Sequence, residues 1–576
     1  MTRLLFACAL LALPSFIVNN VAQATETKPI PGAPDYVILC ANGLKEVATE
    51  WAAMRAGHGR VTKVVTLAEI SGDAKRAPSL VDIKSQVVQW SVLDDEVRPS
   101  FQLLLMGDCP DEGVDAYDPA SQIPWFLTRQ EDSNPEPTRR KRIPTDNFLA
   151  DVITDEHAMP DIAVGRIPAR TVEDARLALK KVKAYEAAPQ GEWLRNLTFF
   201  AGEGRFGAQI DRMLENLFTQ FAEQTISQAY TVRMTYANIR SSYAYVPRLF
   251  SDKVIDEANA GALMLTYMGH GLYDRLDNMD IQDESGKRVR APILSSDDVA
   301  KFNIPDGKLP VMLIVACQTG YMDHPKGCLA EKICFTEKAP VAVIGSSRDS
   351  HPYSNTLLQK ALVSAVSTDR VPTLGEALLI AKRELVLAED PDRGRLELMA
   401  KFIIPKDEER TALNASHMSM YNLTGDPGLR MRYPTVDLQG HSADFADGKL
   451  TVRVRHADKL PEGISLSCAI EVRRTEIAGE LKSFTAADLV SADADKRKAA
   501  EEAVRANHAT SNSKLLLDPK LEVIGSAKLD EGGYETVLQG KLEKVPAAGE
   551  YNVKVYATVQ KSTDCGFTAT KLILKK

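Results

Sequence analysis

The chain has 576 residues, about four domain lengths, is 44% hydrophobic and 26% charged, and carries a net charge of −8. That composition is globular and excludes a disordered, collagen-like or polytopic membrane protein. Mild acidity argues against a nucleic-acid partner; the one basic cluster, Arg139 to Arg142, sits in a Pro-rich polar stretch that reads as an exposed loop.

Residues 1–24 read as a signal peptide: Arg3, then the apolar run Leu4 to Leu13, then Ala22-Gln23-Ala24 as a small-residue cleavage site. The apolar run is too short for a bilayer anchor, so the mature chain is expected to be exported, with no transmembrane segment. Cys8 leaves with the signal, and seven cysteines remain, an odd number that leaves at least one thiol free. Cys468 and Cys565 are the expected disulfide pair; Cys328 and Cys334 read as core residues or long-range partners, not metal ligands. No C-x-x-C or H-E-x-x-H motif supports a zinc site, so no metal residue is assigned.

From Asp35 to about Tyr433, strand-length apolar runs alternate with amphipathic helices. Tyr36 to Cys40 reads as a buried strand and Gly43 to Gly57 as a helix. Phe101 to Met106 and Asp161 to Gly165 read as strands, and Val172 to Ala187 as a helix. Thr198 to Ala201, Ala262 to Tyr267, Val311 to Val315 and Val341 to Ile344 are further strands. The alternation predicts an α/β domain with a mostly parallel sheet covered by helices on both faces. In such a sheet the chemistry belongs at the carboxyl ends of the strands. Tyr117 to about Pro160 breaks the pattern and reads as an insertion or long loop beside the sheet edge. After Pro434 the period becomes two, at Leu450 to His456, Ser467 to Arg473, Tyr534 to Leu542 and Tyr551 to Val559. This predicts an antiparallel β-sandwich, interrupted by a helical pattern near 486–507. The expected domains are 25–433, with two α/β subdomains meeting near residue 190, and 434–576.

Two strand ends carry the chemistry. One runs into Gly269-His270-Gly271 and the other into Cys317-Gln318-Thr319-Gly320, with His270 47 residues before Cys317. A thiol nucleophile needs an imidazole at hand, and flanking glycines let backbone N–H groups face an oxyanion.

Taken with the opening strand Asp35 to Cys40, several motifs stand in one order: Leu104-Leu105-Met106-Gly107-Asp108, Pro144-Thr145-Asp146, Pro160 to Pro168, Tyr267 to Gly271, Val315-Ala316-Cys317, Ala342 to Ser347, and Leu423-Thr424-Gly425-Asp426-Pro427. In these the chain resembles the gingipain-type cysteine peptidases, which have a caspase-like fold, over roughly residues 34–434. An immunoglobulin-like domain after the peptidase domain also fits that family. The resemblance implies an exported cysteine endopeptidase acting on a protein or peptide substrate. It makes Cys317 the nucleophile and His270 the catalytic base or acid, with the Gly271 and Cys317 N–H groups as oxyanion hole. An acidic residue orienting the histidine is also implied; Glu203, after the run Leu197 to Ala201, is the candidate, with Asp211 as fallback and His351 as a rival base. No cofactor is required for the chemistry. A structural calcium is implied as possible, with Asp146, Asp151 and Asp155 at hand, although these carboxylates read as solvated surface groups.

The first strand begins about ten residues after the expected cleavage site, so a large prodomain is not expected, and no acidic residue matches those that set basic P1 preference in gingipains. A transpeptidase joining exported proteins to an anchor, or a non-catalytic binding homologue, are the other readings.

Overall fold

The computed structural model describes residues 33–575 apart from 115, 130–141, 154–158, 205–207, 283–284, 306, 388–390 and 402–403. Ten strands form one sheet: β1 (Tyr36–Cys40), β2 (Thr62–Thr66), β3 (Gln102–Met106), β4 (Ala163–Ile167), β5 (Asn196–Ala201), β6 (Thr231–Tyr236), β7 (Met264–Met268), β8 (Val311–Val315), β9 (Ala342–Ser346) and β10 (Tyr421–Thr424). Their spatial order is β6-β5-β7-β8-β9-β10-β4-β3-β1-β2. The central runs are largely apolar because both sheet faces are covered, while the edge strands β2 and β6 are only partly buried. In β1, Tyr36, Ile38 and Cys40 join the cluster that contains Val47 and Trp51 of helix Lys45–Gly57. Val37 and Leu39 point the other way, to Ile83 and Val87 of helix Leu80–Ser91. Helices start where side chains cap them: the Thr171 hydroxyl accepts from Asp174 N while Asp174 accepts from Thr171 N, opening helix Val172–Glu186.

One junction changes the expected picture. β9 and β10 are antiparallel, whereas all other neighbours in the sheet run parallel. The sheet is therefore two five-stranded parallel halves set head to tail, whose carboxyl ends open at opposite ends. Only one of those ends carries the cysteine and the histidine.

The seam between the halves explains several sequence motifs. A Cβ on Gly165 would meet Gly425 O at 2.5 Å, so β4 can approach the turn after β10 only as glycine. Arg166, fully buried, donates from Nε and Nη2 to the two oxygens of Asp146 at 3.1 and 2.6 Å. Asp426 accepts from Tyr36 Oη and Trp51 Nε1, both at 2.6 Å, and pairs with Arg55. These are scaffold interactions, each a buried charge matched by donors.

The 117–160 segment is not at a sheet edge. It sends the hairpin Phe126–Arg129/Arg142–Thr145 over the seam, where Pro144 O accepts from Ser347 Oγ at 2.8 Å and Arg142 O accepts from Arg348 Nε at 3.0 Å. Of the basic cluster, Arg142 is exposed, and Arg139, Arg140 and Lys141 lie outside the described residues.

Beyond the sheet, two four-stranded antiparallel sheets form the sandwich. Its strands are β11 (Gln439–Ala446), β12 (Lys449–His456), β13 (Ile464–Glu471), β14 (Leu515–Leu517), β15 (Glu522–Lys528), β16 (Tyr534–Lys541), β17 (Gly549–Val559) and β18 (Cys565–Leu574), ordered β11-β12-β16-β15 and β14-β13-β17-β18. Helix Ala494–Asn512 lies between β13 and β14 in sequence.

The expected Cys468–Cys565 disulfide is absent: all seven described cysteines are unbridged. Cys468 pairs with Val555 and faces the sandwich core, while Cys565, one strand further across, lies in the peptidase-side cluster with its Sγ 3.5 Å from Gln190 Oε1. Opposite faces of one sheet cannot be bridged. Cys328 and Cys334 are buried at the two ends of helix Leu329–Cys334.

Candidate active site

The carboxyl ends of β5, β7, β8 and β9 lie side by side, and register fixes which residues stand beyond them. Met268 is paired with Ala201 on one side and Val315 on the other. The ladder runs one step further, with Gly202 N donating to Met268 O at 2.9 Å and Gly269 N donating to Val315 O at 3.2 Å. Glu203, His270 and Cys317 each stand two residues beyond that paired row, on three neighbouring strand ends. Adjacent strands are about 4.8 Å apart, so residues separated by 67 and 47 positions in sequence are neighbours in space.

Two glycines make this packing possible. A Cβ on Gly269 would meet Tyr267 Oη at 2.5 Å and Gly202 N and Cα at 3.0 Å; one on Gly271 would meet Cys317 O, Ala316 Cβ and Thr319 Cγ2, all at 2.9 Å. The backbone around His270 thus presses against both the Glu203 turn and the Cys317 turn. Tyr267 Oη donates to His270 O at 2.8 Å and fixes the turn from below. His270 is exposed, and Glu203 and Cys317 are half-buried. Gln318, directly after the cysteine, has φ 59°, a left-handed conformation uncommon outside glycine, and its N donates to Arg348 O at 3.0 Å.

His351 lies on the segment after β9, but its Nδ1 accepts from Tyr353 N at 3.2 Å and caps helix Pro352–Ser367. Burial lowers its pKa, so it is a neutral cap. Asp211 falls on helix Ala208–Thr225, with its side chain outside the described residues.

Two of the three carboxylates expected to be solvated are buried. Asp146 is buried and committed to Arg166, Asp151 is buried, and Asp155 lies outside the described residues. Among the described residues no group of three or more His, Cys, Asp or Glu could hold a metal ion. Asp146 is matched by its arginine rather than left free for a cation.

Sequence reasoning missed Ser350. It is in hydrogen-bond contact with Cys317 Sγ, its N donating at 3.3 Å. The run Ala342 to Ser347 marked the strand that delivers it; adjacency of β9 to β8 was the missing fact.

The model for peptidase family C25 matches residues 30–432. No curated protein sequence matches the chain. Among solved structures, the complex of Porphyromonas gingivalis RgpB pro- and mature domains is similar at TM-score 0.50 and 14% identity, covering 94% of this chain and 100% of that one. The Arg-specific cysteine proteinase gingipain R is similar at TM-score 0.49 and 14% identity, covering 94% and 98%. A family match over most of the chain, together with a histidine and a thiol on adjacent strand ends, places it: the chain belongs to peptidase family C25 and is a cysteine endopeptidase.

Proposed function

We propose that Cys317 is the nucleophile of this peptidase, His270 its general base and acid, and Glu203 the carboxylate that orients the imidazole. The shared register of Glu203, His270 and Cys317, two residues past the row Ala201–Met268–Val315, carries this reading. The Cys317 thiol gives its proton to His270, and the thiolate forms a bond to the scissile carbonyl carbon. The N–H groups of Gly271 and Cys317 face the resulting oxyanion. As the C–N bond breaks, His270 returns the proton to the leaving amine; water, deprotonated by His270, then hydrolyses the thioester and releases the acid. Glu203 selects the productive tautomer and stabilises the imidazolium.

The substrate is a protein or peptide. Export is supported by Arg3, the apolar run Leu4 to Leu13 and Ala22-Gln23-Ala24. Among the described residues no helix is long and apolar enough to cross a membrane.

Peptide-library cleavage by wild type, Cys317→Ala and His270→Ala tests the assignment. Cys317→Ala is expected to lose activity by roughly three or more orders of magnitude, and His270→Ala nearly as much. Retention of more than about a tenth of wild-type activity by Cys317→Ala overturns it.

A further inference from the structure

Ser350 makes three polar contacts with the Cys317 sulfur. Its N donates to Sγ at 3.3 Å, its hydroxyl lies 3.9 Å from Sγ, and its carbonyl accepts from the thiol at 3.6 Å. Ser350 is held from behind: Asn355 Nδ2 donates to Ser350 Oγ at 2.9 Å, and Tyr421 Oη donates to Asn355 Oδ1 at 2.7 Å. Tyr421 Oη also lies 3.4 Å from Ser350 Oγ. All three residues are buried.

The direction of this relay is set by its members. Burial raises the Tyr421 phenol above its ordinary range, so it remains a donor. Its proton goes to the Asn355 oxygen, which turns the Asn355 nitrogen toward Ser350. Ser350 Oγ accepts that bond and keeps its own proton for the sulfur. The neutral thiol has an acceptor in Ser350 O, and the thiolate has two donors in Ser350 N–H and O–H.

We infer that Ser350, oriented by Asn355 and Tyr421, stabilises the Cys317 thiolate from the β9 side of the sulfur, the side away from His270. The inference rests on Cys317 being the nucleophile. The titratable and charged groups on the surrounding elements include Glu203 after β5, His270 after β7, Arg348, Asp349 and His351 around Ser350, His417 behind His351, and Tyr421 on β10. Ser350→Ala and Tyr421→Phe remove neutral hydroxyls and leave every charge in place.

Alkylation by iodoacetamide, monitored across pH and located by peptide mapping, reads the thiolate at Cys317 directly. Among the described residues, burial raises the other six thiols, which leaves them unreactive at neutral pH, and mapping separates the Cys8 peptide from that of Cys317. In the full chain, Ser350→Ala is expected to move the alkylation midpoint up by about half to one pH unit and to lower kcat about three- to tenfold with KM unchanged. Tyr421→Phe should move the midpoint the same way by less, and Ser350→Thr should restore it. An Ser350→Ala midpoint equal to wild type overturns the inference. A shift in Ser350→Ala with none in Tyr421→Phe overturns the role of the relay. If Ser350→Ala fails to fold, an unshifted Tyr421→Phe overturns the whole. Cleavage by Cys317→Ala would instead remove the nucleophile on which the inference stands.

Discussion

Asn512, the last residue of helix Ala494–Asn512, pairs its side-chain amide with both backbone groups of Met234: Met234 N donates to Oδ1 at 2.7 Å, and Nδ2 donates to Met234 O at 2.9 Å. Met234 sits on β6, the outermost strand of the ten-stranded sheet, with Phe199 of β5 as its partner on the other side. A side chain from the sandwich half therefore stands where the next strand would be. His508, one turn earlier, is 3.0 Å from Thr235 Oγ1, and Glu501 takes a two-pronged bond from Arg248 at 2.6 and 2.7 Å. An uncovered edge is a template for pairing with another chain, and this helix closes it.

Asn512→Leu should therefore cost about 1–3 kcal/mol, the worth of two hydrogen bonds to a strand edge. Amide exchange at Met234 should accelerate while exchange at Met264, on central β7, changes only with global stability. Unchanged exchange at Met234 would show that the edge is protected by something other than Asn512.

Glu203→Gln is the discriminating change at the acid position. The amide keeps the size of the side chain but cannot hold the imidazolium, so kcat should fall by roughly one to three orders of magnitude while Cys317 remains labelled by thiol reagents. A wild-type kcat would mean that Cys317 and His270 work as a dyad or that another carboxylate orients the histidine.

Much of this was legible in the sequence because parallel strands buried on both faces are written as unbroken apolar runs, and β1, β3, β7, β8 and β9 were found that way. The glycines around His270 and the strand end before Cys317 marked the site for the same reason: tight backbone approach needs small residues. Strand direction and order leave no such trace. The antiparallel β9/β10 junction depends on which half of the chain docks beside which, and the neighbourhood of Cys317 and Ser350 depends on β9 lying beside β8. Thr62–Thr66 and Thr231–Tyr236 were missed because edge strands are only partly buried and carry polar residues. Asp146 reads as a surface carboxylate because a buried acid is recognisable only once its arginine is beside it.

The cysteine pattern invites a bridge that the sheet forbids. Cys468 and Cys565 are two strands apart across β17, where their partners Val555 and Thr558 are three residues apart, so they are well beyond bridging distance and face opposite ways. Peptide mapping without reductant, on protein recovered from its native location, should find both thiols free, and melting should be the same with and without reductant. A Cys468–Cys565 linked peptide would contradict the arrangement of β13, β17 and β18.

The loop that brings Ser350 to the sulfur hangs on a buried histidine, which makes it sensitive to acid. His417 is fully buried; its Nε2 accepts from His351 N at 2.6 Å, and its Nδ1 donates to Leu413 O at 2.8 Å. That pattern requires a neutral ring, and burial pushes its pKa down to about 3. In the unfolded chain the same ring takes up a proton near pH 6.5. The folded pKa is the lower of the two, so the contribution of His417 is complete above about pH 6.5 and is lost as the pH falls toward about 3. At pH 5 the loss is about 2 kcal/mol, from roughly one and a half pH units of unfolded-state protonation. Urea unfolding at about pH 7 and pH 5 should therefore show a larger drop for wild type than for His417→Gln, which can still accept from His351 N but does not titrate. His508, buried and lowered to about 4, contributes equally to both proteins and cancels. Equal drops would mean that the ring is already charged in the folded protein or that water reaches it, and acid sensitivity of the Ser350 loop would then need another source.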